Sequence, residues 1–292
     1  MMEIMNAHPG HPAAAYDPRL LGYVDFSGPE ETGSAGRTLT QQIFGYYQET
    51  LFCTPRALDF LQKLGISDAG LLKQWGVGFV DRTLGKQLPD GDTQEGAWIR
   101  GSLQRMGLFV ASGGEFFRGA LVFPNTDDQG EITEAYGERI TPKLRSGTPY
   151  NLYWSMQHGG IYNQAALDTH QDIFLCKNPL EGLILSAAGF PNVVATLGLR
   201  GFDVAQLDSL AGGGVHRVTT AFENTPEGSR ASRLVSQALS MYGVDCYRLA
   251  LPPGMDLKGH VLRYGADALQ SLVKSSRPCV QTYEALREDG LC

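Results

Sequence analysis

The chain has 292 residues, of which 42% are hydrophobic and 19% charged, and a formal net charge of −7. That is enough apolar material for one large core or two modest ones, and it excludes a disordered polymer. An acidic balance argues against tight, nonspecific coating of nucleic acid but is compatible with a local basic groove. No apolar run approaches the roughly 20 residues of a membrane span, and Met1–Gly10 lacks the basic-then-apolar order of a signal peptide; no membrane partner and a cytoplasmic location are expected. Cys53, Cys176, Cys246, Cys279 and Cys292 form no C-x-x-C pair and no close cluster with histidine, so free thiols are expected and no zinc site.

Residues 1–38 are rich in Pro, Gly, Ala and Ser without a sustained period and are expected to be a disordered tail. From Thr40 the pattern is helical, with Ile43, Phe44, Tyr47 and Leu51 on one face. Thr54-Pro55 predicts the start of a second helix, a cap residue followed by proline at the first helical position, with Leu58, Leu61 and Phe60 facing inward and a stop at Gly65. Leu71–Val80 and a glycine-rich stretch through Gly119 follow. Ala120–Pro124, the turn Asp127-Asp128-Gln129-Gly130 and Glu131–Ile140 then predict a β-hairpin. This mixed α and β region, 39–165, carries Arg100, Arg105, Arg118, Arg139, Lys143 and Arg145.

Over 166–275 strands and helices alternate. Ile173–Cys176, Val193–Leu197, Arg217–Phe222 and Cys246–Leu251 read as strands. Glu181–Gly189, Val204–Leu210 and the amphipathic Gly228–Tyr242 read as helices. Apolar strands alternating with helices predict an α/β domain, a four-stranded parallel sheet covered on both faces. Residues 276–292 are expected to be a C-terminal tail. The Gly212–Gly214 run lacks the Lys-Ser/Thr of a P-loop, and neither G-x-S-x-G nor His-Glu-x-x-His is present.

In an open parallel sheet, ligands bind beyond the carboxyl ends of the strands. The first strand is followed by Lys177-Asn178-Pro179-Leu180-Glu181, the third by Glu223-Asn224-Thr225, and the fourth by Pro252-Pro253-Gly254-Met255-Asp256-Leu257-Lys258. Glu181, Glu223 and Asp256 are thus expected at one edge, where gathered carboxylates suit magnesium, a hard cation that prefers oxygen ligands.

The order of strand, acid, x-x-x, acid, then strand, D-x-D, then strand, P-x-G-x-D resembles the Toprim domain of DnaG-type primases, topoisomerases and OLD-type nucleases. Gly160-Ile161-Tyr162-Asn163, Ile173–Cys176, Asn192–Gly198 and Cys246–Asp256 are similar to Toprim primase-like proteins carried on plasmids and transposons. Leu58–Phe79, Arg82–Leu88, Ile99–Gly107 and Phe117–Arg139 resemble the accessory lobe that precedes that domain in the primase core. The likeness spans about residues 40–275, without the Cys/His zinc-binding domain that usually comes first.

The resemblance implies a primase-like nucleotidyltransferase of a mobile element. Such a protein acts in DNA replication on single-stranded template, with magnesium and nucleotides as cofactor and substrates. It also implies that Glu181, Glu223 and Asp256 are the catalytic and metal-binding acids, and that Arg118, Arg139 and Lys143 flank a hairpin lining the template groove. The departures weaken the chemistry. Lys177 stands at the first acid position, the D-x-D pair has become Glu223-Asn224-Thr225, and Lys258 replaces the partner of Asp256. Three acids and two lysines carry −1 where a full set of six acids would carry −6. Two divalent cations about 3.5–4 Å apart are hard to assemble at that charge. The expectation is a weakly active or inactive primase-like protein. The alternative is a noncatalytic module that binds single-stranded DNA or replication proteins, and a Toprim nuclease shares the same metal requirement.

Overall fold

The computed structural model describes residues 38–127, 129–155, 160–197, 204–212 and 214–279. Apart from Thr38, the expected N-terminal tail lies outside the described residues, as do 280–292 and Asp128 of the hairpin turn.

Thr38 opens the first helix with a capping box: its hydroxyl accepts the Gln41 N–H, while the Gln41 side chain accepts the Thr38 N–H. Helix α1 (Leu39–Phe52) then buries Ile43, Phe44, Tyr47 and Leu51 along one face, as the periodicity predicts. Proline starts α2 (Pro55–Lys63), whose fully buried residues are Ala57 and Leu61; Leu58 and Phe60 are only partly covered. Asp68 caps α3 (Ala69–Gln74), which leads into β1 (Gly78–Phe79). The glycine-rich stretch holds two helices, α4 (Leu84–Gln87) and α5 (Gln94–Arg105), the second capped by Thr93. The expected hairpin is β2 (Ala120–Thr126) and β3 (Ile132–Arg139), joined by β4 (Asn151–Ser155). These strands form an antiparallel sheet in the order β1-β2-β3-β4.

The second sheet is built from β5 (Asp172–Cys176), α6 (Pro179–Ala187), β6 (Val193–Ala195), α7 (Val204–Gly212), β7 (Arg217–Thr220), α8 (Pro226–Ser240) and β8 (Asp245–Arg248), closed by α9 (Leu257–Tyr264), α10 (Ala268–Lys274) and β9 (Arg277–Pro278). Its order is β6-β5-β7-β8-β9. The four expected strands are parallel, and β9 adds a fifth, antiparallel to β8. The sheet therefore reaches beyond residue 275, into the segment expected to be tail. Two residues ending in proline give no strand period, so only the pairing with β8 reveals β9.

Alternation along β5 divides the core. Ile173 and Leu175 pack with Val218 and Leu239 on one face, whereas Phe174 and Cys176 face the other. That second face does not end at the parallel sheet. It is continuous with Leu61, Trp75, Phe123 and Tyr136, so the largest buried cluster crosses from one sheet to the other. Trp75 sits at the crossing. Its ring lies 5.5 Å from that of Tyr162, whose hydroxyl donates to the Trp75 carbonyl. Against its other edge lies Gly182 of α6, where a Cβ would fall 2.8 Å from Trp75 Cη2. Gly182→Ala is therefore expected to push α6 off Trp75 and destabilise the fold by about 1–3 kcal/mol, read as a lowered midpoint in chemical denaturation.

The antiparallel half holds a buried carboxyl. Glu115 is 5% exposed and accepts hydrogen bonds from the Tyr47 hydroxyl and the Leu84 N–H. Burial is the main influence and raises its pKa to about 7, although those hydrogen bonds act in the opposite direction. Between the ordinary glutamate value and about 7, the folded state holds a proton that the unfolded chain has released. This contribution to stability is thus full at low pH and is lost as pH rises to about 7. Denaturation at pH 5 and pH 8 is expected to show the wild type losing on the order of 2–3 kcal/mol from this group across that interval, with Glu115→Gln removing that share.

Candidate functional site

Strand order places the site. From β5 the chain crosses by α6 to β6 on one side. It then passes over to β7 on the other side and continues by α8 to β8. The order reverses between β5 and β7, and the loops leaving their carboxyl ends diverge there, which opens a crevice. Lys177 is the first residue after β5, and Glu223 lies three residues beyond β7.

Each loop is fixed by the cap of the helix it feeds. The Asn178 side chain accepts the Glu181 N–H at 2.9 Å with Pro179 at the first helical position, so Glu181 sits in the first turn of α6. The Thr225 hydroxyl accepts the Gly228 N–H at 3.1 Å, again with proline following. Asp256 Oδ1 accepts the Gly259 N–H at 2.7 Å and caps α9. Asn224 ties two loops together: its amide donates to Leu251 O at 2.7 Å, and its backbone bonds Met255 and Gly254. Within Glu223-Asn224-Thr225, Thr225 thus serves as a helix cap and Asn224 as a loop staple.

The three sequence-predicted acids do converge, around an amine. Lys177 Nζ lies 3.3 Å from Glu181 Oε1, 3.0 Å from Glu223 Oε2 and 3.3 Å from Asp256 Oδ2. Among the described residues no group of three or more His, Cys, Asp or Glu side chains has the arrangement of a metal centre.

The acids titrate differently because their surroundings differ. Glu181 is 1% exposed, and burial pushes its pKa up to about 8 in spite of Lys177. For Asp256 the effect of burial is outweighed by the Gly259 N–H and by Lys177 and Lys258, which hold its carboxyl below the usual range. Burial also works against the Lys177 ammonium, but Glu181, Asp256 and Glu223 more than offset it and keep the proton on the amine. Lys258 turns to the other sheet, where it pairs with the buried Glu138 of β3, itself hydrogen-bonded by the Tyr136 hydroxyl at 2.8 Å. Glu138 and Tyr136 gave no sequence signal as site residues, since a strand reads only as alternation.

The basic candidates gather elsewhere. Burial first, and then the neighbouring charges of Arg118 and Arg82, lower the Arg139 pKa, so these three form one basic group. Lys143 lies on the exposed loop between β3 and β4 and is not among the charges acting on Arg139. Successive strand residues face opposite ways, so Arg139 points away from the face on which Glu138 meets Lys258. The basic group therefore does not line the carboxylate cluster directly. Tyr153 of β4 does lie near that cluster. It is 48% exposed, its ring is 5.5 Å from that of Tyr136, and Lys177, Glu138, Glu181 and Glu223 all act on its hydroxyl. Arg82 and Tyr153 were not expected as site residues. The alternation of Asn151-Leu152-Tyr153-Trp154-Ser155 was the available signal for the second, since it places one aromatic outward.

No family model matches the chain. A DNA primase of Staphylococcus aureus (strain COL) is 25% identical over 269 residues, covering 84% of this chain and 42% of the primase. The chain thus spans less than half the length of the curated relatives it matches. Among solved structures, the Aquifex aeolicus primase (zinc-binding and RNA polymerase domains) gives a TM-score of 0.65 at 20% identity, over 86% of this chain and 62% of that one. The DnaG primase catalytic domain bound to single-stranded DNA gives 0.62 at 20% identity, over 82% and 78%. In sequence and in fold, this chain is similar to the catalytic core of DnaG-type primases.

Proposed function

We propose that this chain acts in DNA replication as a primase-like protein on single-stranded template, with a Toprim centre in which the Lys177 ammonium takes the place of a metal ion. Its synthetic activity is weak or absent, and binding of single-stranded DNA, or of replication proteins gathered there, is its main role. The observation that carries this reading is the contact of one ammonium with Glu181, Glu223 and Asp256 at 3.0–3.3 Å. The relatives' names support the setting in replication, and the DnaG catalytic domain bound to single-stranded DNA supports the template. The origin on a mobile element rests on the sequence resemblance alone.

The residues present do not fit a divalent cation while Lys177 holds its proton. A protonated amine has no lone pair to offer as ligand or base. A second unit charge of the same sign about 4 Å away meets roughly 4 kcal/mol of repulsion at an effective dielectric near 20. A nuclease reading requires the same metal and is weakened for the same reason.

Magnesium is expected to leave the wild-type melting temperature unchanged. Lys177→Ala is expected to be less stable by about 3–5 kcal/mol, because three carboxylates lose their counter-charge. Magnesium should raise the midpoint of that variant, since a ligand that binds only the folded state stabilises it. Robust template-dependent nucleotide incorporation by the unmodified chain would overturn the proposal.

Binding of single-stranded DNA is expected to depend on Arg82, Arg118 and Arg139, with Lys143 contributing from its loop. Neutral glutamine at the three arginines should weaken binding and flatten the plot of log affinity against log salt by up to about 0.7 for each phosphate no longer neutralised. Tyr153→Ala is expected to weaken binding with little change in that slope, as loss of a base-stacking ring would. Fluorescence anisotropy with a labelled oligonucleotide at several salt concentrations reads both effects.

A further inference from the structure

A cavity of about 620 Å³ lies between α8, the end of β8 and the edge strand β9, with Asn224 of the loop after β7 in its wall. Arg233 of α8, Arg248 of β8 and Arg277 of β9 all line it, and no carboxylate does. Arg248 is held in place by three acceptors: Ser229 Oγ at 2.8 Å, Glu223 O at 3.1 Å and Asn224 Oδ1 at 3.3 Å. The carboxylate that acts on Arg248, that of Glu223, is in contact with Lys177. Among the described residues none of the three arginines is in a salt bridge. The remaining wall is mixed: Asn224, Ser229 and Ser232 add polar groups, and Leu251, Pro252, Pro253 and Pro278 add apolar surface.

We infer that this cavity is a nucleotide-binding site, in which the three arginines take the phosphates and the proline wall takes the base. Guanidinium forks match phosphate oxygens in geometry and charge. Three such groups with no acid among them leave a positive cavity that an anion would neutralise. Its volume lies within the usual range for a small-molecule site, about 300–1,000 Å³. Apolar surface alongside the arginines favours a nucleotide over a bare inorganic anion.

The test is calorimetric titration of the full chain with ATP at fixed salt and without added metal, alongside inorganic triphosphate and adenosine. ATP is expected to bind more tightly than triphosphate, and adenosine to bind weakest. Arg233→Gln combined with Arg277→Gln, both at exposed positions, should weaken ATP at least tenfold. Arg217→Gln, which removes an exposed arginine paired with Asp172 at the opposite edge of the sheet, should leave it unchanged. No ATP binding at millimolar concentration, or no effect of the double variant, would refute the site. Equal affinity for triphosphate and ATP would make it a plain anion site. Loss of single-stranded DNA affinity with ATP binding intact would assign the arginines to a nucleic-acid track instead.

Discussion

A parallel sheet that reverses its strand order sends several loops to the same crevice, and here those loops bring three carboxylates together. Side by side and partly buried, they would repel one another and each would lack solvation. The Lys177 ammonium removes both difficulties at once, because it touches all three. The geometry of the loops after β5, β7 and β8 depends on this one cation as much as on the helix caps behind them. Glu181 is the most deeply buried of the three, and burial holds its pKa up at about 8 in spite of that contact.

The two sheets are held against each other by means of a different kind. Apolar packing supplies most of the contact, through a cluster that runs from Leu61 and Trp75 to Leu183 and Val193 without a break. Gly182 allows α6 to approach Trp75 closely, and because it adjoins Glu181, packing between the sheets also positions an acid of the crevice. A second tie is ionic. Lys258 reaches across to Glu138, which is buried and oriented by Tyr136. Lys258 thus serves as part of the contact between the halves while remaining close enough to Asp256 to help keep that carboxyl ionised.

This arrangement places an ammonium where gathered carboxylates would otherwise call for a metal ion. An ammonium and a metal ion both satisfy gathered carboxylates, but only the metal can exchange a ligand or accept an oxygen lone pair. Lysine at this position offsets part of the negative charge of the crevice. Tyr153 lies near the cluster, whereas Arg139, which has Arg118 and Arg82 as neighbours, points from the opposite face of β3 to Glu138.

The sequence by itself determined the elements whose signals are local. Periodicity in Leu39–Phe52, proline after Thr54, the hairpin around Ala120–Arg139 and the alternation after residue 166 each depend on neighbours a few residues away. It also brought Glu181, Glu223 and Asp256 to one edge, because strand ends in a parallel sheet share a direction. Other features were settled only by tertiary structure, since they depend on residues far apart in the chain. Strand β9 exists through its pairing with β8, and Arg82 joins Arg118 and Arg139 only in space. Lys177 and Lys258 look alike in sequence, each a lysine where an acid was expected. One points into the crevice and the other toward Glu138, because the first follows a central strand, whereas the second lies in the first turn of α9, within reach of the opposite sheet.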